Sequence, residues 1–289
     1  MSSFKVKVLN ILDRFLTNRV VSYSSSQSDV RKNLFFEQLE ERAEDIYIIT
    51  FLKSGTTWMQ MICYQLLTDG NMDFKHIYDV SPWLSNAATT GGDVKKINDL
   101  PSPRFFKCHD SYDKFDPKAK GRFIFVYRDG EDVAVSLFHH VRNYNDPEQT
   151  LEKTYEDYFS LEQEYNWFTF TESWLKNVCE YDILFVNYSD LKNDFDRSLR
   201  RIAEFLGAQL TDEIFQRVKE RSSFDFMKKH EDKFGEQPTD IRVYDQFIRE
   251  GKIGSGKQLN GEQRLLFRKK YVKHVKAYEH QLNPRHDCG

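Results

Sequence analysis

Three short runs rich in β-branched and aromatic residues constrain the fold of this chain more than any other feature. They are Ile46–Phe51 (IYIITF), Arg122–Tyr127 (RFIFVY) and Ile183–Asn187 (ILFVN). Each is almost continuously apolar, the pattern of a strand covered on both faces. Helical spacing follows each of them: Met59, Ile62 and Leu66 within Thr57–Leu67, then Val133, Leu137 and Val141, then Leu191–Leu206, stopped by Gly207. Arg104–Lys107 adds a short extended piece and Leu265–His280 a closing helix. Strands alternating with helices predict an α/β fold, a mostly parallel central sheet with helices on both faces. In such sheets ligands sit beyond the carboxyl ends of the strands. The residues just after Phe51, Lys107, Tyr127 and Asn187 are therefore the first candidates for a site.

With 289 residues, 39% of them hydrophobic, the chain suits one large domain with a short appendage. Residues 1–45 read as an N-terminal leader and linker, the link being the polar stretch Ser22–Ser28, and residues 46–289 as the domain. The amphipathic start, MSSFKVKVLNILDRFLTNRVV, lacks the apolar core and cleavage site of a secretory signal. No apolar run reaches the roughly 20 residues of a membrane span, so stable membrane insertion is not expected. Cys63, Cys108, Cys179 and Cys288 lie far apart with no CxxC pair, which predicts neither zinc nor a disulfide framework and favours a reducing, cytoplasmic setting. A net charge of only −3 predicts no nucleic-acid partner and makes any phosphate site a local one.

Such a site is written into Ile49–Ile62, ITFLKSGTTWMQMI. A strand meets Lys53-Ser54-Gly55-Thr56-Thr57 and a helix begins. Backbone N–H groups at a helix start bind anions with the help of the helix dipole. Gly55 permits close backbone approach, Thr56 and Thr57 add hydroxyls, and Lys53 adds a charge. Trp58 reads either as core or as a ring that stacks on a nucleobase. A second anion-friendly strand end is YRDGEDVAVS, with Arg128, Asp129 as N-cap, Asp132 completing a box-like helix start, and Ser136 further along. In Lys107-Cys108-His109, neighbours in an extended segment point to opposite faces. That separates Cys108 from His109 and puts Lys107 and His109 on one face, His109 being a candidate general base with a lowered pKa. Glu231–Gln258 reads as a long polar loop, a candidate lid. At its end Arg249-Glu250-Gly251-Lys252, followed by Gly254 and Gly256, reads either as a mobile turn or as a basic stretch that closes on an anion.

LKSGTTW, KCH, YRDGEDVAVS, NYSDL, IAEFLG, RSSFDFMKKH and FIREGKIG occur in this order, and together they make the chain resemble the cytosolic sulfotransferases from about Ile46 to Lys276. The resemblance implies a P-loop-like single domain that transfers a sulfuryl group from 3′-phosphoadenylyl sulfate to a hydroxyl or amine of a small molecule. Adenosine 3′,5′-bisphosphate is left as product, and no metal is implied. By that likeness Lys53, Ser54, Gly55, Thr56 and Thr57 hold the 5′-phosphate, while Trp58 and Phe224 pack on adenine. Arg128 and Ser136 hold the 3′-phosphate, Tyr188, Ser222 and Met227 contact the nucleotide, and Arg249, Glu250 and Gly251 form a clamp over the 3′-phosphate. His109 is implied as the base, Lys107 as its helper, and Lys53 lies near the bridging oxygen. Trp83, His140 and the loop near Phe234 fall where the family builds its acceptor pocket, and their aromatic character suits an apolar or aromatic acceptor.

The chain departs from the family pattern at several points. The clamp reads Arg249-Glu250-Gly251 in place of Arg-Lys-Gly, a change worth about 1.5–3 kcal/mol if one charge-assisted contact is lost. Gly254-Ser255-Gly256-Lys257 replaces Gly-Asp-Trp-Lys, and the missing tryptophan implies a looser lid. QLNGEQRL lacks the Thr-Val pair of the family's dimer motif, which puts a family-type dimer in doubt, and Asp110-Ser111 replaces the common Leu-Pro. Two other functions compete with an active sulfotransferase. Glu250 motivates a catalytically impaired nucleotide-binding or scaffold protein. The phosphate loop alone motivates a P-loop small-molecule kinase, whose GxxxxGK[ST] signature is absent.

Overall fold

Four strands, β1 (Ile46–Thr50), β2 (Phe105–Cys108), β3 (Arg122–Tyr127) and β4 (Ile183–Asn187), pair in parallel in the order β2–β1–β3–β4. The computed structural model describes residues 30–115, 120–235 and 247–282. The leader, the Ser22–Ser28 link and the middle of the 231–258 loop therefore lie outside the described residues, or largely so. The strands belong to the larger of two compact units, Glu41–Trp83 with the described residues from Pro101 onward. The smaller unit contains 30–40 and Leu84–Leu100, with helical segments at 30–38, Leu84–Thr90 and Val94–Asn98. Within it the Asn98 amide donates to the Gln38 carbonyl at 3.0 Å and accepts from the Glu40 amide at 3.1 Å.

In the larger unit, β1 leads to α1 (Thr56–Leu67) and β3 to α2 (Gly130–Tyr144), followed by α3 (Leu151–Phe159) and α4 (Trp167–Lys176). After β4 come α5 (Tyr188–Asn193), α6 (Phe195–Leu206), α7 (Asp212–Arg221), α8 (Phe224–Lys229) and α9 (Gly261–His274). The period of two along each strand divides the core. Ile46, Ile48, Ile124 and Val126 pack with Met59, Ile62 and Leu66 of α1, Leu199 and Ile202 of α6, and Phe215 and Val218 of α7. The alternate positions are aromatic. Tyr47 stacks on Phe123 at 5.0 Å between ring centroids, Phe123 meets Trp174 at 5.9 Å, and Phe125 stacks on Phe170 at 6.1 Å. Both faces of the sheet are thus covered, which is why the strands read as unbroken apolar runs.

The strands of the sequence reading stand to within a residue, and three helical details are corrected. Leu191–Leu206 is two helices, because Asp194 leaves helical geometry (φ −140°, ψ 73°) and its carboxylate caps α6 at the Arg197 amide. The closing helix starts at Gly261, where Asn260 and Gln263 form a reciprocal capping box, and gives way to a 3₁₀ segment at Lys276–Leu282. Asp132 does not complete a box with Asp129, whose side chain alone caps α2; Asp132 accepts instead from the amides of Gly254 and Gly256. Cys63 and Cys108 are free and buried, whereas Cys179 is disulfide-bonded, although the spacing of the cysteines predicted no disulfide framework. No helix among the described residues is long and apolar enough to cross a membrane.

At the amino end of β1, Asp45 and Arg104 form a bidentate pair, 2.8 Å from Nε to Oδ1 and 2.6 Å from Nη2 to Oδ2, with both side chains almost wholly buried. Truncating Asp45 removes the bidentate carboxylate that faces the buried Arg104 charge. Asp45→Ala is therefore expected to destabilise the fold by about 3–5 kcal/mol, read as a lowered midpoint in urea unfolding. A midpoint within error of wild type would contradict this.

Candidate active site at the carboxyl edge of the sheet

The chain runs from β1 to β2 on one side and then crosses to β3 on the other. The crossover direction therefore reverses between β1 and β3, and a crevice opens beyond their carboxyl ends. Residues 51–56 leave β1 at this point and Arg128 leaves β3. Lys53 holds a left-handed backbone conformation (φ 60°), and its carbonyl accepts from Arg128 Nη1 at 2.8 Å. Gly55 (φ 103°) starts α1, and a Cβ there would lie 2.8 Å from the Tyr188 ring. Neither a side-chain cap nor an acidic residue occupies the first turn of α1, so the positive end of its dipole faces the crevice uncompensated by the chain.

The crevice is a cavity of about 350 Å³. Lys53, Gly55, Thr56, Thr57 and Trp58 line it, as do Lys107 in β2 and His109 just after it, and Arg128 and Ser136 after β3. Tyr188 comes from α5, Ser222 from the carboxyl cap of α7, Phe224 and Met227 from α8, and Arg249, Glu250 and Gly251 from the segment before α9. Trp83 and His140 complete the set that the sequence singled out. Two expected residues are placed elsewhere. Ser54 is buried beneath the loop with its amide bonded to the Phe51 carbonyl. Phe234 is buried in the core cluster with Met227 and Phe215 rather than on the cavity wall, because its apolar ring follows the 3₁₀ turn Glu231–Lys233 inward.

Among the described residues, six lysine and arginine side chains line the cavity (Lys53, Lys107, Arg128, Lys192, Arg249, Lys252) against the single carboxylate of Glu250. A chain of net charge −3 thus concentrates positive charge here. The Glu250 carboxylate is engaged by Arg249 at 3.1 Å and Lys252 at 3.3 Å, and these cations hold its pKa below the usual range. Arg128 also donates to the Lys252 carbonyl at 3.1 Å, and its guanidinium lies 4.5 Å from the Tyr188 ring centroid. Its Nε and the Trp58 indole Nε1 are buried donors without a partner, and both residues line the cavity. Buried donors left unmade are costly, and these two suit a ligand rich in acceptors, such as a phosphorylated nucleotide.

His109 is buried, with Nδ1 2.7 Å from the Thr50 carbonyl oxygen and 3.1 Å from the Thr50 hydroxyl. A carbonyl only accepts, so Nδ1 carries the proton and Nε2 keeps its lone pair. The Thr50 hydroxyl also meets Thr56 Oγ1 at 2.6 Å, linking the ring to the start of α1. Burial first and the Lys107 charge second push the His109 pKa well below 6.5; Lys53 and His140 add to this, and the Thr50 carbonyl opposes it. Lys107 Nζ donates to the Tyr78 hydroxyl at 2.8 Å and lies 3.9 Å from the Trp83 ring centroid, and Trp83 meets His109 edge-on at 5.1 Å. Lys53 Nζ is 3.5 Å from His140 Nδ1 and 4.7 Å from the Phe247 ring centroid. Sequence reasoning missed Thr50, Tyr78 and Phe247. Thr50 acts largely through its carbonyl, which no side-chain pattern announces, whereas aromatic residues flanking a lysine-rich site are a weak but visible signal.

The family model described as a sulfotransferase domain matches residues 43–279. Mouse sulfotransferase 1B1 is 31% identical over 237 residues, covering 76% of this chain and 79% of that protein. Human sulfotransferase 1C2 is 26% identical over the same length and coverage. Among solved structures, retinol dehydratase in complex with androsterone and the inactive cofactor PAP superposes with a TM-score of 0.68 at 20% identity, covering 82% of each chain. With most of its length matched by the domain model and by a relative of this similarity, the chain belongs to the sulfotransferase family.

Proposed function

We propose that the chain moves a sulfuryl group from 3′-phosphoadenylyl sulfate to a hydroxyl or amine of a small acceptor, with His109 as general base. The observation that carries this reading is the fixed tautomer of His109, a neutral buried imidazole beside Lys53 and Lys107 in one cavity. The nucleotide supplies the sulfuryl group and a bisphosphate leaving group. Lys53, Gly55, Thr56, Thr57 and the dipole of α1 hold its 5′-phosphate. Arg128 and Ser136, with the backbone of 249–251, hold its 3′-phosphate, and Trp58 and Phe224 take the adenine. That a structural neighbour of the chain is described with PAP supports this pose.

His109 Nε2 accepts the proton of the attacking hydroxyl as its oxygen bonds to sulfur and the bond from sulfur to the bridging oxygen breaks. Lys53 and Lys107 stabilise the charge that grows on the oxygens. Trp83, Tyr78, His140 and Phe247 surround the approach to His109 and Lys53 and suit a ring-bearing acceptor. The placement of Glu250 between Arg249 and Lys252 favours an active site over an impaired one, because its charge is neutralised within the clamp.

His109→Ala is expected to lower kcat by about 10²–10⁴-fold while leaving bisphosphate affinity unchanged by calorimetry. Normal turnover in that variant would remove His109 as the base.

The pH dependence follows from the direction of the shift. The working form is neutral His109, and its protonation in the folded enzyme needs a pH well below 6.5. The acid limb of kcat/KM is therefore expected below that value, and a limb at or above 6.5 would contradict the assignment. Burial of the neutral ring also stabilises the fold fully above the unfolded histidine value, an increment lost as the pH falls through the lowered folded one.

A further inference from the structure

The segment 247–256 places Arg249, Glu250, Gly251 and Lys252 on the cavity wall, yet it contains three glycines and lacks the tryptophan expected to steady it. A segment of this composition loses considerable conformational entropy on ordering unless its backbone is held. Five side-chain bonds to backbone hold it. At the upstream end Lys228 Nζ donates to the Ile248 carbonyl at 2.7 Å, and the Ile248 amide donates to Glu231 Oε2 at 3.1 Å. Lys228 and Glu231 are themselves paired at 2.8 Å. In the middle, Arg128 Nη2 donates to the Lys252 carbonyl. At the downstream end the buried Asp132 carboxylate accepts from Gly254 N at Oδ2 and Gly256 N at Oδ1, both at 2.8 Å. Gly256 lies so close to α2 that a Cβ there would fall 2.5 Å from Glu131 Cβ.

Asp132, Lys228 and Glu231 do not line the cavity, but their bonds end on the backbone flanking the residues that do. We infer that Asp132 and the Lys228–Glu231 pair are positioning residues, which preset the strap 247–256 over the 3′-phosphate end of the nucleotide. This rests on the nucleotide pose proposed above. Asp132 grips the strap from the first turn of α2, two residues after the helix starts and four after Arg128. The same short segment therefore supplies a proposed phosphate ligand and the anchor of the strap that covers it. The Lys228–Glu231 pair fixes both hydrogen-bonding groups of Ile248, one residue before Arg249. Held at both ends, the strap presents its backbone without waiting for ligand to order it.

The test is calorimetric binding of two ligands, adenosine 3′,5′-bisphosphate and adenosine 5′-monophosphate, to wild type, Asp132→Asn and Glu231→Ala. The Asp132→Asn change would oppose an amide donor to a glycine N–H where a carboxylate now accepts. The bisphosphate Kd is expected to rise about tenfold or more in each variant, the loss of a charge-assisted bond, while the monophosphate Kd stays unchanged. Equal weakening of both ligands, the mark of a merely structural role, would overturn the inference, as would an unchanged bisphosphate Kd. Should Asp132→Asn fail to fold, Glu231→Ala decides, because the Glu231 side chain is 23% exposed. Failure of wild type to bind the bisphosphate would instead overturn the nucleotide pose itself, and this inference with it.

Discussion

The bond from Arg128 to the carbonyl of Lys53 joins the ends of β1 and β3 where the crossover direction reverses, and the site is built around it. Parallel pairing brings Thr50 level with Val126, so the residues that follow these strands emerge side by side. A left-handed Lys53 turns its carbonyl to Arg128, and a left-handed Gly55 starts α1 against the Tyr188 ring. Burial lowers the Arg128 pKa, and an arginine guanidinium stays charged in proteins. Its charge and its two carbonyl bonds fasten three chain segments, the 53–57 loop, the end of β3 and the strap at Lys252.

From this arrangement the proposed chemistry follows by electrostatics rather than by any single reactive group. The cavity gathers lysine and arginine side chains in a chain of slightly negative net charge, an excess of positive charge that favours an anionic ligand. Burial first, and the Lys107 and Lys53 charges after it, lower the His109 pKa, and the Thr50 carbonyl decides which nitrogen holds its proton. The proposed anion site and the proposed base thus draw on one set of residues. The hydroxyl chain from His109 through Thr50 to Thr56 ties the proposed base to the loop proposed to receive the phosphate.

The sheet was legible in the sequence because burial on both faces leaves no polar alternation to confuse, and the ends of β1, β3 and β4 named Lys53, Arg128 and Tyr188. The helix boundaries were less so. Asp194 reads as an ordinary helix residue until its carboxylate is seen capping α6, and Asn260 caps α9 well ahead of the first apolar pair, Leu265-Leu266. Asp132 shows the limit most clearly. Its spacing from Asp129 fits a capping box, but its partners are glycine amides more than a hundred residues away, which no local pattern encodes. Phe234 was assigned to the acceptor side by likeness in a loop, where local packing, not motif order, decides which way a ring points.

Sulfuryl transfer at this site is open to a single assay. The most direct measurement incubates the purified chain with radiolabelled 3′-phosphoadenylyl sulfate and a panel of phenols, alcohols and amines, and follows label in the acceptor and bisphosphate release together. Label is expected in at least one ring-bearing acceptor, with a matching amount of bisphosphate formed. Tight binding of the bisphosphate with no transfer to any member of the panel would contradict it and leave a nucleotide-binding protein in place of an enzyme.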